Sequence, residues 1–151
     1  MTHIQTAIFI DKSPDIVFDF VTVPHNWPQW HPSSIQVVGS SDHSLDIGEQ
    51  VTEDYQVAGR KGRVVWTARE RERPSRWVIE GQTEDGGRGT ITYTLSADGA
   101  GTRFTREFVY DMPNPFLAML NWLILRHRIR AESARALTQL KQVLELPSPK
   151  A

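Results

Sequence analysis

The chain brackets a run of strand patterns between a short helical insert and one long terminal helix. The insert occupies Ser13–Trp30, directly after a first strand, and the long helical pattern runs from Asn114 to Leu146. Hairpin-length spacing between the strands favours antiparallel neighbours, because parallel strands need long crossover connections. The sequence therefore predicts a curved antiparallel sheet wrapped on one long helix, and these two elements can enclose a cavity.

Seven strands are predicted from alternating patterns separated by turn residues. They cover residues 3–10, 34–39, 49–57, 62–73, 75–82, 88–96 and 101–111. The face taken as concave carries Val51, Glu53, Tyr55, Val57, Val64, Trp66, Ala68, Trp77, Ile79, Gly81, Ile91, Tyr93, Leu95, Phe104, Arg106, Phe108 and Tyr110. On that face we expect Glu53 opposite Trp66, Tyr93 opposite Phe104, and Arg106 opposite Ile91.

Helix-start signals occur at both ends of the strand run. Ser13-Pro14 and Asn114-Pro115 each place a capping residue before a proline. Pro24 and Pro28 divide the insert into two short helices. On a helical wheel, an apolar stripe on the long helix comprises Met119, Trp122, Leu125, Ile129, Ala136, Leu137, Leu140, Val143 and Leu144, with Arg126 and Ser133 inside it. The small residues Ser133, Ala134 and Ala136 leave room for a cavity against the sheet.

Composition limits the classes of function. The 151 residues suit one domain, predicted over 1–147, with a loose tail at 148–151. A net charge of −1 gives no broad field for nucleic acid, and the lack of cysteine excludes disulfides and thiolate zinc sites. His25 and His31 fit no standard metal spacing, so neither metal nor cofactor is predicted. The N-terminus lacks a signal-peptide pattern, and we expect a cytoplasmic protein.

Three segments carry a family resemblance: Thr6–Val21, Trp27-Pro-Gln-Trp30, and the strand start Gly101-Thr-Arg-Phe104 ahead of the terminal helix. Together they resemble the START-related superfamily of polyketide cyclases, dehydrases and lipid-transport proteins, over nearly the whole chain. The resemblance implies an α+β helix-grip fold with an internal hydrophobic pocket. It implies no particular reaction, because carriers, cyclases, ubiquinone-binding proteins and chaperone activators share this fold.

Glu53 and Arg106 interrupt apolar strand faces. A charge beside a low-dielectric cavity must be paired, hydrated or shifted in pKa. With Tyr93, these two residues are the candidate catalytic groups. The alternatives are a structural ion pair or a position at the sheet rim for Arg106, and a hydrated strand end for Glu53. The predicted ligand-binding set is Trp30, Glu53, Tyr55, Trp66, Trp77, Tyr93, Phe104, Arg106, Phe108, Trp122, Arg126 and Ser133. Core packing would explain most of its aromatic members equally well.

The predicted function is non-catalytic binding of a small hydrophobic molecule, either lipid-like or aromatic and polyketide-like. One alternative is a cyclase or dehydratase that uses the same pocket. Another is an interaction protein similar to the chaperone activators, which would lack an open cavity.

The apolar segment Phe116–Leu125 is followed by Arg126, Arg128 and Arg130. We expect it to be buried beneath loops at the pocket mouth, because apolar helix surface is usually core. A homodimer contact and a transient membrane contact are the alternatives, and the choice between monomer and homodimer stays open.

Overall fold

The computed structural model describes residues 1–39 and 42–146, and seven strands precede the long helix. The elements are β1 (Thr2–Ile10), α1 (Pro14–Val21), a 3₁₀ turn (Pro24–Asn26), α2 (Trp27–Trp30), β2 (Ser34–Gly39), β3 (Gln50–Val57), β4 (Arg60–Glu72), β5 (Arg76–Thr83), β6 (Arg88–Asp98), β7 (Gly101–Asp111), α3 (Pro115–Leu120), a π-helical segment (Asn121–Leu125) and α4 (Arg126–Glu145). The predicted tail at 148–151 lies outside the described residues.

The strands form one antiparallel sheet in the order β1-β7-β6-β5-β4-β3-β2. The α+β helix-grip prediction is confirmed, with its curved sheet, long C-terminal helix and short helices between the first two strands. The predicted concave face is also confirmed, because its residues supply most of the hydrophobic core or line the space beside the helix.

The predicted cross-strand partners were wrong by two residues. Glu53 lies opposite Val64, and Tyr93 lies opposite Arg106. Arg106 was expected beside Ile91, but Ile91 pairs with Phe108. A shift of two residues keeps every side chain on the same face, since side chains alternate with a period of two. The residues predicted for the concave face are therefore correct despite this error.

The front insert forms because its apolar residues face the sheet. Pro14 begins α1, where a missing N–H costs little, and Val17, Phe18 and Val21 are buried. The Ser13 side chain makes no capping hydrogen bond, contrary to expectation. The indole N–H of Trp27 donates to the carbonyl oxygen of Val21 (3.1 Å) and ties α2 to α1.

The C-terminal helix contains a wide turn that the helical wheel did not predict. Asn114 caps its start as expected, accepting a hydrogen bond from the Leu117 N–H (2.9 Å). The π-helical turn at Asn121–Leu125 then changes the helical phase. The buried residues are Leu117, Asn121, Leu125, Ser133, Ala136, Leu137 and Leu140. Trp122, predicted to face inward, is 62% exposed, and Ala134 also faces outward.

The expected burial of the apolar helix start is contradicted. Its outward side chains are each at least half exposed: Phe116 69%, Met119 55%, Trp122 62%, Leu123 54% and Ile124 50%. Leu117 and Leu125 alone among its large apolar residues are buried. No helix in the described part of the chain is long and apolar enough to cross a membrane.

Candidate functional site

A cavity of about 370 Å³ lies between the concave sheet face and the C-terminal helix. The helix contributes Leu117, Leu125, Ile129 and Ser133 to its wall. Its volume falls in the range of about 300–1,000 Å³ that is typical of small-molecule sites. The predicted cavity between sheet and helix is therefore confirmed.

Glycines on the concave face let aromatic rings lie flat across the sheet. A Cβ atom added to Gly81 would stand 2.6 Å from the Trp66 ring. One added to Gly62 would collide with the ring and hydroxyl of Tyr55. Because Gly81 pairs with Trp66 and Gly62 with Tyr55, each glycine accommodates the aromatic residue directly opposite. These rings then form the cavity wall instead of filling the space.

Aromatic side chains in tilted and edge-to-face contact fill the core beside the cavity. Trp77 and Phe104 were predicted among the ligand-binding residues, but both are fully buried and do not line the cavity. The Tyr93 ring lies between them, with centroids 5.2 Å from Trp77 and 5.1 Å from Phe104. The indole N–H of Trp77 donates to the Leu45 carbonyl oxygen (3.1 Å). Packing against Tyr93 thus assigns Trp77 and Phe104 to the core.

Trp122 and Arg126 also lie away from the cavity, on the outer side of the helix. The Arg126 Nε donates to the Trp122 carbonyl oxygen (2.7 Å), and its guanidinium lies 5.4 Å from the centre of the Trp122 ring. Their placement differs from expectation because the π-helical turn changes the helical phase. The other predicted residues line the cavity: Trp30, Glu53, Tyr55, Trp66, Tyr93, Arg106, Phe108 and Ser133.

Arg106 brings a buried cation to the deep part of the cavity. It is 5% exposed, and its Nη1 donates to the Ser133 hydroxyl oxygen (3.2 Å). Within residues 1–39 and 42–146, its Nε has no hydrogen-bond partner and no carboxylate lies within ion-pairing distance. The expected alternative of a structural ion pair is therefore absent from the described residues. The indole N–H of Trp30 is a second buried donor without a partner there.

Glu53 lies on the same wall. Its Oε1 accepts a hydrogen bond from the Trp66 indole N–H (3.0 Å), across a diagonal of the β3–β4 pair. Burial raises the pKa of the Glu53 carboxyl, although the Trp66 hydrogen bond and the Arg106 charge oppose the rise. Burial likewise raises the pKa of Tyr93 to about 12, so this phenol stays protonated at neutral pH.

His31 is a cavity residue that sequence reasoning considered only as a metal ligand. Its Nδ1 accepts a hydrogen bond from the Ser33 N–H (3.1 Å), which leaves the proton of a neutral ring on Nε2. Burial, aided by the Arg106 charge, lowers the pKa of His31 well below its ordinary value. The ring is therefore a neutral hydrogen-bond donor at pH 7. The only sequence feature that could have indicated His31 as a cavity residue was its position directly after Trp30, the last residue of α2.

The cavity mouth is formed by hairpin tips and by the connection into the helix. It includes Val57, Arg60, Lys61, Gly62, Glu84, Asp85, Arg88, Asp111, Met112 and Pro113. These residues lie in turns or at strand ends, where alternation carries no information on which side chain faces a cavity. In the described part of the chain, no group of three or more His, Asp or Glu side chains is placed to hold a metal ion.

Comparison with known proteins agrees with this architecture. Residues 1–145 match the model of the family described as polyketide cyclase / dehydrase and lipid transport. No curated protein matches the chain. Protein CV1439 from Chromobacterium violaceum has a TM-score of 0.72 at 16% identity, covering 96% of this chain and 98% of its own.

Two further solved structures are similar over nearly their whole length. Protein Ms6760 from Mycobacterium smegmatis has a TM-score of 0.71 at 18% identity, with 99% of this chain and 93% of that chain covered. The Aha1 dimer from Colwellia psychrerythraea has a TM-score of 0.62 at 17% identity, with 98% and 99% covered. At these identities the likeness shows a shared fold, whereas the family match confirms the resemblance drawn from the sequence.

Proposed function

The chain belongs to the polyketide cyclase/dehydrase and lipid-transport family, and from that premise we propose that its cavity binds a small, mainly apolar molecule with an oxygen-bearing head. The observation that carries the proposal is the buried Arg106 guanidinium, which has a free Nε and no carboxylate partner in the described residues. A buried charge without a carboxylate partner is costly, so a ligand that supplies an acceptor for the free Nε gains from the pairing.

The surrounding groups define the chemistry of the head. Arg106, Trp30 and the neutral His31 ring all line the cavity and all carry N–H donors. Such a set favours an acceptor such as a carboxylate, an enolate or a ketone oxygen. Tyr55, Trp66 and Phe108 offer flat apolar surface for the body of the molecule. The ligand is thus expected to be amphipathic, with its head at Arg106.

A matched pair of ligands tests this orientation. We expect Arg106→Met to weaken binding of a fluorophore-labelled fatty acid by about 10- to 100-fold, since hydrogen bonds to charged groups contribute roughly 1.5–3 kcal/mol. The same fluorophore on a plain hydrocarbon chain should bind about equally to both proteins. Arg103→Met, at an exposed arginine of β7, is the control. Equal loss for the two ligands would assign Arg106 a structural role and contradict the proposal.

A second candidate, a dehydratase or cyclase, is favoured by Glu53. A carboxyl whose pKa is raised in a cavity is a better base than an exposed one. Its carboxylate would take the proton α to a ketone and return it to the departing β-hydroxyl group. One water then leaves, the carboxylate is regenerated, and Arg106 stabilises the intermediate enolate oxygen.

A soluble β-hydroxy ketone tests the catalytic candidate. If Glu53 is the base, enone absorbance should develop with wild-type protein, whereas Glu53→Gln should bind the ketone without turning it over. If the wild-type protein binds the ketone but forms no enone, the catalytic candidate is wrong and only the carrier function is left. The third reading, an interaction protein, was expected to lack an open cavity, so the cavity argues against it.

A further inference from the structure

The outer face of the helix start is an unusual surface because five of its large apolar side chains are exposed within nine residues. Phe116, Met119, Trp122, Leu123 and Ile124 are each at least half exposed. All five lie within three turns of helix. We refer to these five side chains as the outer patch. Large apolar side chains exposed so close together mark a binding surface, whereas isolated apolar side chains need no explanation.

A basic segment follows the outer patch. From Met112 to Ala131 the sequence contains Arg126, Arg128, Arg130 and His127 but no acidic residue, in a chain whose net charge is −1. Among the described residues, none of the three arginines has a carboxylate within ion-pairing distance. Their charges are therefore available to an anionic partner.

The outer patch and the basic segment together distinguish between possible binding partners for this surface. A two-fold dimer through this face would bring two sets of three arginines together, and the segment supplies no carboxylate to pair them. An anionic membrane surface supplies both an apolar layer and negative charge, without requiring shape complementarity. An exposed tryptophan beside arginines suits the membrane interface, where an amphipathic ring has one apolar and one polar side.

We propose that the outer patch and its three arginines dock the protein onto an anionic lipid surface. The helix lies on the surface and does not cross the membrane. The opposite side of the same helix, at Leu117, Leu125 and Ile129, lines the cavity. Docking therefore brings the cavity wall next to the lipid. The docking surface does not depend on what the cavity binds, so it goes beyond the proposed function.

Trp122 provides a specific reporter. It is the one exposed tryptophan of the five in the chain, because Trp27, Trp30, Trp66 and Trp77 are each no more than 5% exposed. On vesicles of phosphatidylcholine with added phosphatidylglycerol, we expect a blue shift of emission and quenching by brominated acyl chains. Both signals should be small on phosphatidylcholine alone and should weaken with salt. Trp122→Phe should still bind in a sedimentation assay but lose most of the shift.

Matched variants separate docking from general electrostatics. Arg128→Glu should weaken vesicle binding by about tenfold or more, since each basic residue near an anionic surface contributes about a factor of five. Arg103→Glu makes the same change of charge on an exposed β7 position and should have little effect. Leu123→Ser should weaken binding more than Ile47→Ser, at an exposed apolar loop position.

Three outcomes would overturn the proposal. One is the absence of wild-type binding to anionic vesicles at low salt. Another is an equal loss for the Arg128→Glu and Arg103→Glu variants. The last is a blue shift of Trp122 that grows with protein concentration without vesicles, which would assign the outer patch to a contact between copies. Arg106→Met alters the cavity and should leave vesicle binding unchanged, so failure of the proposed ligand site would be recognised separately.

Discussion

The deep end of the cavity and the outer patch depart from ordinary burial in opposite directions. At the deep end, the charged Arg106 is 5% exposed, while on the outer patch the apolar Trp122 is 62% exposed. Charged residues are seldom fully buried without a partner, and large apolar patches seldom face water. The rest of the core is ordinary, with Val, Ile, Leu and aromatic side chains packed between sheet and helices. Both departures are therefore places where folding alone does not explain the sequence.

One helix separates these two regions. Leu117 and Leu125 face the cavity, whereas Phe116 and Trp122 face outward. Asn121 anchors this segment, because its Oδ1 accepts from the Tyr110 hydroxyl (2.6 Å) and its Nδ2 donates to the Thr2 hydroxyl oxygen (2.9 Å). A buried polar network of this kind specifies one arrangement. It fixes which side of the wide turn faces in, and so determines both regions.

The largest expected contrast is between two tryptophans. Trp77→Ala should lower the free energy of unfolding by about 3–5 kcal/mol, because it leaves a cavity beside Tyr93 and removes the hydrogen bond to Leu45. Trp122→Ala should change it by no more than about 0.5 kcal/mol, as for most surface substitutions. Urea denaturation followed by circular dichroism measures both. Similar losses in the free energy of unfolding for the two variants would show that the outer patch stabilises the fold, and it would then not differ from the core.

The buried charge is expected to reduce stability in the absence of ligand. Arg106→Met keeps much of the side-chain length and removes a buried charge that has no carboxylate partner in the described residues, so we expect it to raise the free energy of unfolding by about 1–3 kcal/mol. Loss of the hydrogen bond to Ser133 reduces the gain. Arg103→Met is the matched surface control. A destabilised Arg106→Met protein would mean that the guanidinium stabilises the fold, and the argument for a ligand acceptor would weaken.

Sequence patterns predicted the sheet well because alternation is a local property. The strand predicted at 101–111 is observed at Gly101–Asp111, and that at 88–96 extends to Asp98. Cross-strand pairing depends on turn geometry as well as on faces, and there the prediction was wrong by two residues. Glu53 nevertheless meets Trp66 on a diagonal, because a two-residue shift conserves the face.

The cavity was harder to predict because its limits depend on packing between distant segments. Nothing local distinguishes Trp77, which is core, from Trp66, which lines the wall. The difference arises from Gly81, which lets the Trp66 ring lie flat, and from Tyr93, which covers Trp77. The outward direction of Trp122 follows from a π-helical turn that a regular wheel cannot represent.

Gly81 gives a smaller and more local test of the cavity wall. Gly81→Ala would place Cβ 2.6 Å from the Trp66 ring and 2.8 Å from Val64 Cγ2, so these cavity-lining side chains must shift. We expect a loss of about 1–3 kcal/mol in the free energy of unfolding, as for other overpacked sites. Binding of an apolar dye should weaken, while vesicle binding through the outer patch should stay unchanged. Gln82→Ala, on the other face of β5, is the control for both measurements.

The smallest effect is in the pH dependence of stability, where two cavity residues oppose each other. Burial raises the pKa of Glu53 above its ordinary 4.5, so the folded state holds its proton more tightly and stability falls as pH rises above about that value. Burial lowers the pKa of His31 well below its ordinary 6.5, so stability falls as pH drops below about 6.5.

Between these values the two slopes have opposite signs, so the wild-type profile should change less with pH than the profile of either single variant. Glu53→Gln should reveal the His31 contribution, as a loss of stability on acidification below about pH 6.5 with a limiting slope of ~1.4 kcal/mol per pH unit. His31→Gln should reveal the opposite slope, from Glu53. Trp122→Phe, on the outer patch, should leave the profile unchanged. Urea denaturation at a series of pH values tests all three variants. If neither cavity variant changes the slope, Glu53 and His31 titrate as if exposed, and the deep region would no longer differ from the surface in its electrostatics.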